Sequence, residues 1–462
     1  MILHVRERLV QAVRLRLQAD VPIGIYLSGG IDSSSVAGIV THLSRTQGLP
    51  INNSQLVCFC VEFPAASGLD ESDVAQRTAQ WLGAKLVKIK VDQQVLADCF
   101  VDATWHSEMH HLDLNAVAKH ALSKLPLEHG IKVVLLGEGS DEHFAGYAIF
   151  PVDYLREPDG ALPQTRLAQD DPLRQRLFAD AYTTLQCGLD AMGVHGKSLV
   201  DLGHAALALV NHCSMPAAML NWHIALPTYQ FWVLQRTTPG QEATAMVEAI
   251  PPHVRAKMLK SWHPLHTSMY IWQKNLFPNF LLAGMGDRAE MAHGIEGRHP
   301  FLDHHLTDYV NRLPPSVKLS LSPPGQFALA ETNQGAPLPN KDMLHTNKES
   351  MLPKLTEKWI LREAVRPFIT TEIYHRKKQS FLAPMSWPAD GPLHRLLQKI
   401  LTRAAVDQLG FVDSDFVLAL MPGAFGPSAN SNKFRILVAI AAWVVLAQKM
   451  GIPTATVDDW LD

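Results

Sequence analysis

A glycine- and serine-rich loop at residues 28–34, with the sequence Ser-Gly-Gly-Ile-Asp-Ser-Ser, has the composition of a phosphate-binding site. Its glycines let the backbone approach a ligand closely, and its hydroxyls and the N–H groups at a helix start can bind an anion. The loop does not match a Walker A motif, because no Gly-Lys-Ser/Thr sequence ends it. Asp32 would repel a bare phosphate unless Mg²⁺ lay between them, so we expect a site for a phosphate and a metal ion.

A second glycine-rich loop, residues 137–147, contains several carboxylates and follows an apolar run at residues 133–136. Its sequence is Gly-Glu-Gly-Ser-Asp-Glu-His-Phe-Ala-Gly-Tyr. Loops that leave the carboxyl ends of parallel strands can face the same crevice. We therefore expect the two loops to line one site.

Further charged segments follow in a fixed order. They are Asp287-Arg288, Glu-Gly-Arg-His-Pro-Phe-Leu-Asp at 296–303, Lys-Trp-Ile-Leu-Arg at 358–362 and Arg-Lys-Lys-Gln-Ser-Phe at 376–381. Together with the two loops, this set resembles the synthetase domain of asparagine synthetases, a branch of the ATP pyrophosphatase superfamily. The resemblance extends from an opening helix to about residue 381, and it implies ATP and Mg²⁺ as cofactors.

The resemblance also implies roles for individual residues. Asp32 and Asp141 would bind Mg²⁺, Lys378 would stabilise charge on the α-phosphate, and Glu138 would take a proton from the attacking ammonium or amine. Tyr147 stands where some amide-cyclising relatives place a catalytic tyrosine, although ordinary members also have a tyrosine there. The residues that would contact the nucleotide are Leu27, Ser28, Gly29, Gly30, Asp32, Ser33, Ser34, Val61 and Gly137.

The acidic and basic residues of the 296–303 segment allow two interpretations. Glu296, Arg298 and Asp303 could contact the substrate, or they could form a buried ion-pair network that holds a helical lobe on the sheet. The sequence favours neither.

Residue 2 bears on the nitrogen source. Glutamine-dependent members of the resembled family place a glutaminase domain first, with a catalytic cysteine directly after the initiator methionine, whereas residue 2 here is Ile. We expect that this chain has no glutaminase of its own. It would then use free ammonia, receive ammonia from a separate glutaminase, join an amine already on its substrate, or be a truncated gene product.

Composition narrows the class of partner. The 462 residues are 47% hydrophobic and 18% charged, with 41 basic and 44 acidic side chains, so we expect a small-molecule substrate and no nucleic acid. Five cysteines without metal spacing suit reduced thiols in the cytoplasm. The longest apolar run, 436–447, is far shorter than the roughly 20 residues of a membrane span, so we expect no membrane association.

The elements around the two loops predict an α/β fold. Apolar strand-like runs alternate with helical patterns up to about residue 150, which is typical of a parallel sheet with helices on both faces. The predicted strands are 23–27, 56–63, 85–91 and 132–136, and the predicted helices are 5–17, 33–43, 71–82 and 115–125.

Later residues predict a mostly helical C-terminal lobe. We divide the chain into an ATP-binding core with the PP-loop at 1–150, a helical insertion of unassigned role at 151–265, and a helical part that completes the active site at 266–462. Residues 320–350, rich in Ser, Pro, Gly and Asn, predict a surface loop or lid.

Amide formation from a carboxylate requires a better leaving group than oxide, and an acyl adenylate supplies one. The resemblance implies activation of aspartate or a similar carboxylate with release of pyrophosphate, followed by attack of ammonia. The alternative is an amide-forming or cyclising ligase of specialised metabolism that uses a substrate amine, similar to β-lactam synthetases. A third reading is a non-catalytic paralogue that regulates a partner, against which the intact Asp32, Glu138, Asp141 and Lys378 argue.

Overall fold

A computed structural model of the protein describes residues 1–48, 55–191, 204–219, 226–236, 241–321 and 355–460. The predicted loop at 320–350 lies outside the described residues except at its start. Ser320 and Leu321 form the end of a strand, because Ser320 pairs with Thr356 in an antiparallel ladder. For these two residues the loop prediction is wrong.

The first third of the chain alternates strands and helices as its apolar pattern predicts. The elements are α1 (Ile2–Arg16), β1 (Ile23–Tyr26), α2 (Ile31–Gln47), β2 (Val57–Glu62), α3 (Ser72–Leu82), β3 (Lys85–Lys90), α4 (Gln93–Ser107), α5 (Asn115–Leu122), α6 (Lys124–Glu128), β4 (Val133–Leu135) and α7 (Ser140–Phe144).

The middle of the described chain is helical. Its α-helices are α8 (Phe150–Arg156), α9 (Arg166–Gln169), α10 (Asp171–Ala191), α11 (His204–Ala208), α12 (Met215–Met219), α13 (Phe231–Leu234), α14 (Gln241–Glu248), α15 (Pro252–Lys260) and α16 (Pro264–Lys274). A π-helix, Phe277–Asp287, follows.

The last part adds three short strands to a helical lobe. Its elements are α17 (Arg288–Met291), β5 (Glu296–Arg298), α18 (His304–Asn311), α19 (Pro315–Lys318), β6 (Leu319–Leu321), β7 (Leu355–Glu357), α20 (Trp359–Val365), α21 (Thr371–His375), α22 (Pro392–Ile400), α23 (Arg403–Asp407), α24 (Ser414–Leu420) and α25 (Ser431–Met450).

The central sheet has five parallel strands in the order β3-β2-β1-β4-β5. This arrangement confirms the predicted α/β class. The fifth strand, β5, comes from residues far beyond the predicted 1–150 core and pairs with β4, with Leu135 opposite Arg298.

Side chains alternate between the two faces of the sheet, and each face is buried under helices. Ile25 and Cys58 lie in one apolar cluster with side chains of α1, α2 and α20, whereas Phe59 and Val134 lie in the other with α4, α5 and α25. Burial on both faces is what a parallel sheet requires. A third apolar cluster joins helices of the middle region to the loop after α7.

Among the described helices, none combines the length and the apolar character that crossing a bilayer requires. The apolar helix α25 packs against α4 and α22 instead.

Candidate active site

The phosphate-binding loop lies between β1 and α2, where its sequence places it. The Ser28 N–H donates to Ser33 Oγ at 3.0 Å, and the Gly30 N–H donates to Ser28 Oγ at 3.1 Å, so two hydroxyls shape the loop itself. The Ser34 hydroxyl differs: it is fully buried and has no hydrogen-bond partner within the described part of the chain. An unsatisfied buried hydroxyl at a helix start suits contact with a phosphate oxygen.

Gly137 brings the second loop against the first. A Cβ atom at this position would lie 2.8 Å from Asp32 Cβ and 2.8 Å from the Ser33 backbone nitrogen. Only glycine permits this approach without a shift of the backbone. The two predicted loops therefore meet, as their strand order requires.

Two aspartates, one from each loop, converge on a buried lysine. Lys358 Nζ lies 2.7 Å from both Oδ atoms of Asp32 and 2.7 Å from Asp141 Oδ1. The Lys358 side chain is 0% exposed. This residue has a left-handed backbone conformation, with φ of 55°, directly before α20.

Lys378 approaches the same carboxylates from the solvent side. Its Nζ donates to Asp141 Oδ2 at 2.6 Å and lies 4.0 Å from Asp32 Oδ2. Burial alone would raise the pKa of Asp141, but Lys358 and Lys378 more than offset it and hold that pKa below its usual value. Burial would lower the pKa of Lys378, yet the charges of Asp141 and Asp32 raise it, so Lys378 stays a cation.

Glu138 occupies the rim of this cluster and is 37% exposed. Its Oε1 accepts a hydrogen bond from Lys119 Nζ at 3.0 Å. Burial would raise the pKa of Glu138, but Lys119 and then His299 lower it below its usual value. Glu138 is therefore a carboxylate at neutral pH.

The hydroxyl of Tyr147 does not point at the aspartates. It donates to Glu142 Oε1 at 2.6 Å, and Trp272 Nε1 donates to the same oxygen at 3.3 Å. Burial and the neighbouring Asp141 raise the pKa of Glu142 to about 7. The ring of Tyr147 lies 5.9 Å from Lys378 Nζ, so it packs beneath this lysine.

Glu296, Arg298 and Asp303 lie apart from the aspartate cluster and form contacts with α1. Arg298 donates to the carbonyls of Arg16 and Gln18, each at 2.8 Å, and to Glu296 Oε1 at 2.6 Å. Asp303 pairs with Arg16 at 2.6 Å and caps α18. Of the two interpretations of this segment, these contacts favour the structural one.

The remaining predicted residues lie where the strands end. Leu27 follows β1 and its N–H donates to the Phe59 carbonyl at 2.9 Å, while Val61 lies near the end of β2. Both side chains are buried. Gly29 lies against Glu71 and Val74 of the neighbouring loop and helix.

No role was predicted from the sequence for four charged residues at this site, which are Lys119, Glu142, Glu290 and Lys358. Lys119 carries a signal that could have revealed it, because a lysine within the apolar segment Ala-Val-Ala-Lys-His-Ala-Leu is costly to bury without a partner. Lys358 begins the Lys-Trp-Ile-Leu-Arg segment at 358–362, but its partner Asp32 is 326 residues away in the chain.

Known proteins resemble this chain along most of its length. A model of the asparagine synthase family matches residues 4–445. An amidase of Penicillium rubens, chyE, is 38% identical over 459 residues, which cover 98% of this chain and 62% of that protein. An amidase of Gibberella zeae, chry2, is 38% identical over 463 residues with the same coverage.

A glutamine-hydrolysing asparagine synthetase of Bacillus subtilis is 23% identical over 448 residues, which cover 96% of this chain and 59% of that protein. The chain thus spans about three fifths of the length of these relatives.

Proposed function

The chain belongs to the asparagine synthase family, and on this premise we propose that it is an ATP-dependent carbon–nitrogen ligase that forms an amide through an acyl adenylate. The observation that carries the proposal is the convergence of Asp32, Asp141, Lys358 and Lys378 on one position beside the phosphate-binding loop. Such a set of charges suits a polyphosphate and its metal ion.

The carboxylates of Asp32 and Asp141 fit Mg²⁺. They are hard oxygen ligands that already converge on a cation, Lys358 Nζ, and Mg²⁺ is commonly held by one or two carboxylates together with phosphate oxygens. When bound, the ion neutralises charge on the phosphates and orients them. We propose ATP and Mg²⁺ as the cofactors.

In the first half-reaction a substrate carboxylate oxygen attacks the α-phosphorus of ATP. A new O–P bond forms, the bond to the bridging oxygen breaks, and pyrophosphate leaves with the electron pair. The raised pKa of Lys378 keeps this lysine protonated at neutral pH beside this charge, Lys358 lies buried next to it, and donors fixed in a partly dry site stabilise the charge without reorganisation. Ser34 and the N–H groups at the start of α2 bind phosphate oxygens.

In the second half-reaction ammonia or an amine attacks the acyl carbon. The bond between this carbon and the phosphate oxygen breaks, AMP leaves with the electron pair, and a proton passes from nitrogen to Glu138. A carboxylate that is ionised and 37% exposed can accept that proton and return it to solvent.

Aspartate or a similar carboxylate is the proposed acid, with ammonia as the nitrogen donor, free or supplied by a separate glutaminase. The second candidate is an amide-forming or cyclising ligase of specialised metabolism that uses a substrate amine. One observation weakens the case for aspartate and ammonia: the two fungal relatives at 38% identity are named amidases, whereas the asparagine synthetase of Bacillus subtilis is 23% identical. The five unpaired cysteine thiols favour the cytoplasm as the location.

Pyrophosphate release tests the proposal directly. Purified protein is given ATP, Mg²⁺ and a panel of carboxylic acids, with ammonium, with glutamine, or with neither. We expect release that depends on one class of acid, and amide formation with ammonium but not with glutamine. Pyrophosphate release without ammonium, together with formation of an amide between the carboxylate and an amine of the substrates themselves, would identify the second candidate.

The matched variant is Asp141→Asn, which keeps the volume and removes the charge. We expect pyrophosphate release to fall by at least about 100-fold, because a donor or ligand at the developing charge is lost. Near-normal release by Asp141→Asn, or no acid-dependent release by the unmodified protein, would contradict the proposed function.

A further inference from the structure

Behind Glu138 lies a buried charge pair that the proposed chemistry does not use. Lys119 on α5 contacts Glu138 Oε1 and Glu290 Oε1, each at 3.0 Å, and its Nζ lies 4.6 Å from the centre of the Tyr26 ring. The exposed fraction falls from 37% for Glu138 to 10% for Lys119 and 0% for Glu290. The three groups thus form a line from the cleft into the protein.

The fold makes specific room for Glu290. A Cβ atom at position 297 would lie 2.0 Å from Glu290 Oε2, so the glycine of β5 admits this carboxylate beneath the sheet edge. Glu290 Oε1 lies 3.0 Å from the Lys119 ammonium, and Glu290 Oε2 has no hydrogen-bond partner in the described part of the chain. Lys119 is therefore the charge that compensates this buried carboxylate. Burying such an ion pair costs desolvation free energy, so its presence indicates a role other than stability.

Charged and titratable groups approach Glu138 from several elements. They are Lys119 on α5, Glu290 on α17, Tyr26 on β1 and His299 directly after β5. The nearest of them to its carboxylate is the Lys119 ammonium. Burial would lower the pKa of Lys119, but Glu138 and Glu290 raise it, so the ammonium persists at neutral pH.

We propose that Lys119 and Glu290 are a positioning pair that fixes Glu138 as an ionised carboxylate at the cleft and thereby serves amide formation but not adenylate formation. Glu290 holds the ammonium in place, and the ammonium holds Glu138. The part that concerns amide formation rests on the proposed function, whereas the ionisation of Glu138 does not.

The ionisation can be measured without turnover. Infrared difference spectra between the protein and its Glu138→Gln variant isolate the carboxylate band of Glu138, which is followed from pH 8 to pH 4.5. The same pair of spectra is recorded in a Lys119→Met/Glu290→Gln background. This double variant removes both buried charges, so it leaves no uncompensated carboxylate that would unfold the protein.

In the unmodified protein we expect Glu138 to stay ionised to lower pH than an ordinary glutamate, because Lys119 more than offsets its burial. Loss of a cation this close shifts a carboxyl pKa upward by about 1–3 units, so Glu138 should take up its proton at higher pH in the double variant than in the unmodified protein. The single variant Glu290→Gln removes only an anion and should leave the titration of Glu138 unchanged or move it to lower pH. A Glu138 titration that moves to higher pH in the double variant but not in Glu290→Gln separates an electrostatic role of Lys119 from general damage to the fold.

Activity gives the second readout. The ratio of variant to unmodified amide formation cancels the ionisation of ammonia, and for the double variant it should be about twofold lower at the pH where Glu138 of the variant is half protonated than at pH 8. Pyrophosphate release in the first half-reaction should change by less than that at each pH. Arg174→Met, which removes a buried cation that binds the Leu155 and Arg156 carbonyls, should give a pH-independent ratio.

Two results would overturn the proposal: the same Glu138 titration in the double variant and the unmodified protein, or equal losses in both half-reactions. If the infrared titration shifts as expected but no acid supports pyrophosphate release, the charge pair stands and the proposed function fails.

Discussion

Lys358 shows that this site depends on side chains that are far apart in the chain but in contact in the fold. A fully buried ammonium with three carboxylate oxygens at 2.7 Å is stable only because Asp32 and Asp141 arrive from two different loops. The types and order of residues predicted both aspartates and Lys378 as parts of one site, and the structure brings them together. Lys358 received no role because nothing local in its segment indicates where its side chain ends.

Tyr147 gives a test at the residue scale. Tyr147→Phe keeps the ring beneath Lys378 but removes the hydroxyl that donates to Glu142. Because this hydrogen bond favours the ionised form, the pKa of Glu142 should rise above about 7 in the variant. We expect a loss of stability of about 1 kcal/mol and pyrophosphate release within about threefold of normal.

Steady-state release of pyrophosphate and urea unfolding of Tyr147→Phe check this expectation. Tyr147→Leu is the control, since it also removes the ring and should reduce activity further. A loss of amide formation of 100-fold in Tyr147→Phe, with pyrophosphate release intact, would instead make the hydroxyl a catalytic group.

At the scale of elements, the edge of the sheet depends on the 296–303 segment. Strand β5 has three residues, and Arg298 at its end binds the carbonyls of Arg16 and Gln18, where α1 ends. Helix C-termini leave carbonyls unsatisfied, and the Arg298 guanidinium satisfies that of Arg16 here, together with the carbonyl of Gln18 just beyond the helix. These contacts link α1 and β5, and they favour the structural interpretation of the segment.

Arg298→Met tests this role. The variant loses two charge-assisted hydrogen bonds to main-chain carbonyls and one to the exposed Glu296 side chain, so the free energy of unfolding should fall by about 3 kcal/mol. The activity per folded molecule should stay within about twofold of normal. Urea unfolding and pyrophosphate release measure the two quantities.

Arg14→Met on α1 is the matched control, because the described contacts of the Arg14 side chain are hydrogen bonds to the exposed Gln11 and Gln47 side chains. It should cost less than about 1 kcal/mol. If Arg298→Met stays stable but raises the substrate concentration needed for half-maximal rate tenfold or more, the substrate interpretation of this segment is correct.

Sequence patterns predicted long elements better than short ones. The strands expected at 23–27, 56–63, 85–91 and 132–136 are each present and differ by one or two residues at their ends. Strand β5 was not predicted, because its sequence Glu-Gly-Arg lacks β-branched residues. Its partner strand β4 lies about 160 positions earlier in the chain. Helix α4 was also not predicted, although Leu96, Phe100 and Ala103 have helical spacing and the Asp92 side chain caps its first turn.

For the whole molecule, helices from the last part of the chain complete the core that the first part begins. Side chains of α20 pack against α1 beneath the sheet, and those of α22 and α25 pack against α4 on its other face. Lys358 and Lys378 come from this same region, so the fold that buries the apolar faces also brings the two cations to the phosphate-binding loop. Neither the core nor the site is complete within residues 1–150.

Four buried histidines should make this assembly sensitive to acid. Burial lowers the pKa of His111 to about 3 and those of His120 and His143 to about 4, and it holds the pKa of His266 well below its usual value. The unfolded chain takes up protons at these residues near pH 6.5, whereas the folded chain does not. Stability from these groups is therefore present above pH 6.5 and is lost as the pH falls below it.

Glu142 acts in the opposite direction. Its folded pKa of about 7 lies above the ordinary value of 4.5, so the folded protein binds a proton between these values that the unfolded chain does not. Each histidine that stays neutral costs about 1.4 kcal/mol at pH 5.5, and Glu142 returns about 2 kcal/mol. Burial also lowers the pKa of Lys318 to about 7, which costs about 1 kcal/mol more between pH 7.5 and pH 5.5. We expect a net loss of about 3–5 kcal/mol in this range, in which carboxylates with lowered pKa values stay ionised in both states.

Urea unfolding followed by tryptophan fluorescence at several pH values between 7.5 and 5.5 measures this loss. His111→Leu should reduce the pH dependence by about one proton, because His111 is buried against Phe100 and its Nε2 has no partner among the described residues. His4→Gln, at an exposed histidine beside Glu7 and Tyr309, is the control. A pH dependence that is flat, or equal in His111→Leu and the unmodified protein, would show that these imidazoles gain protons without unfolding, through openings large enough to admit water to the helical lobe.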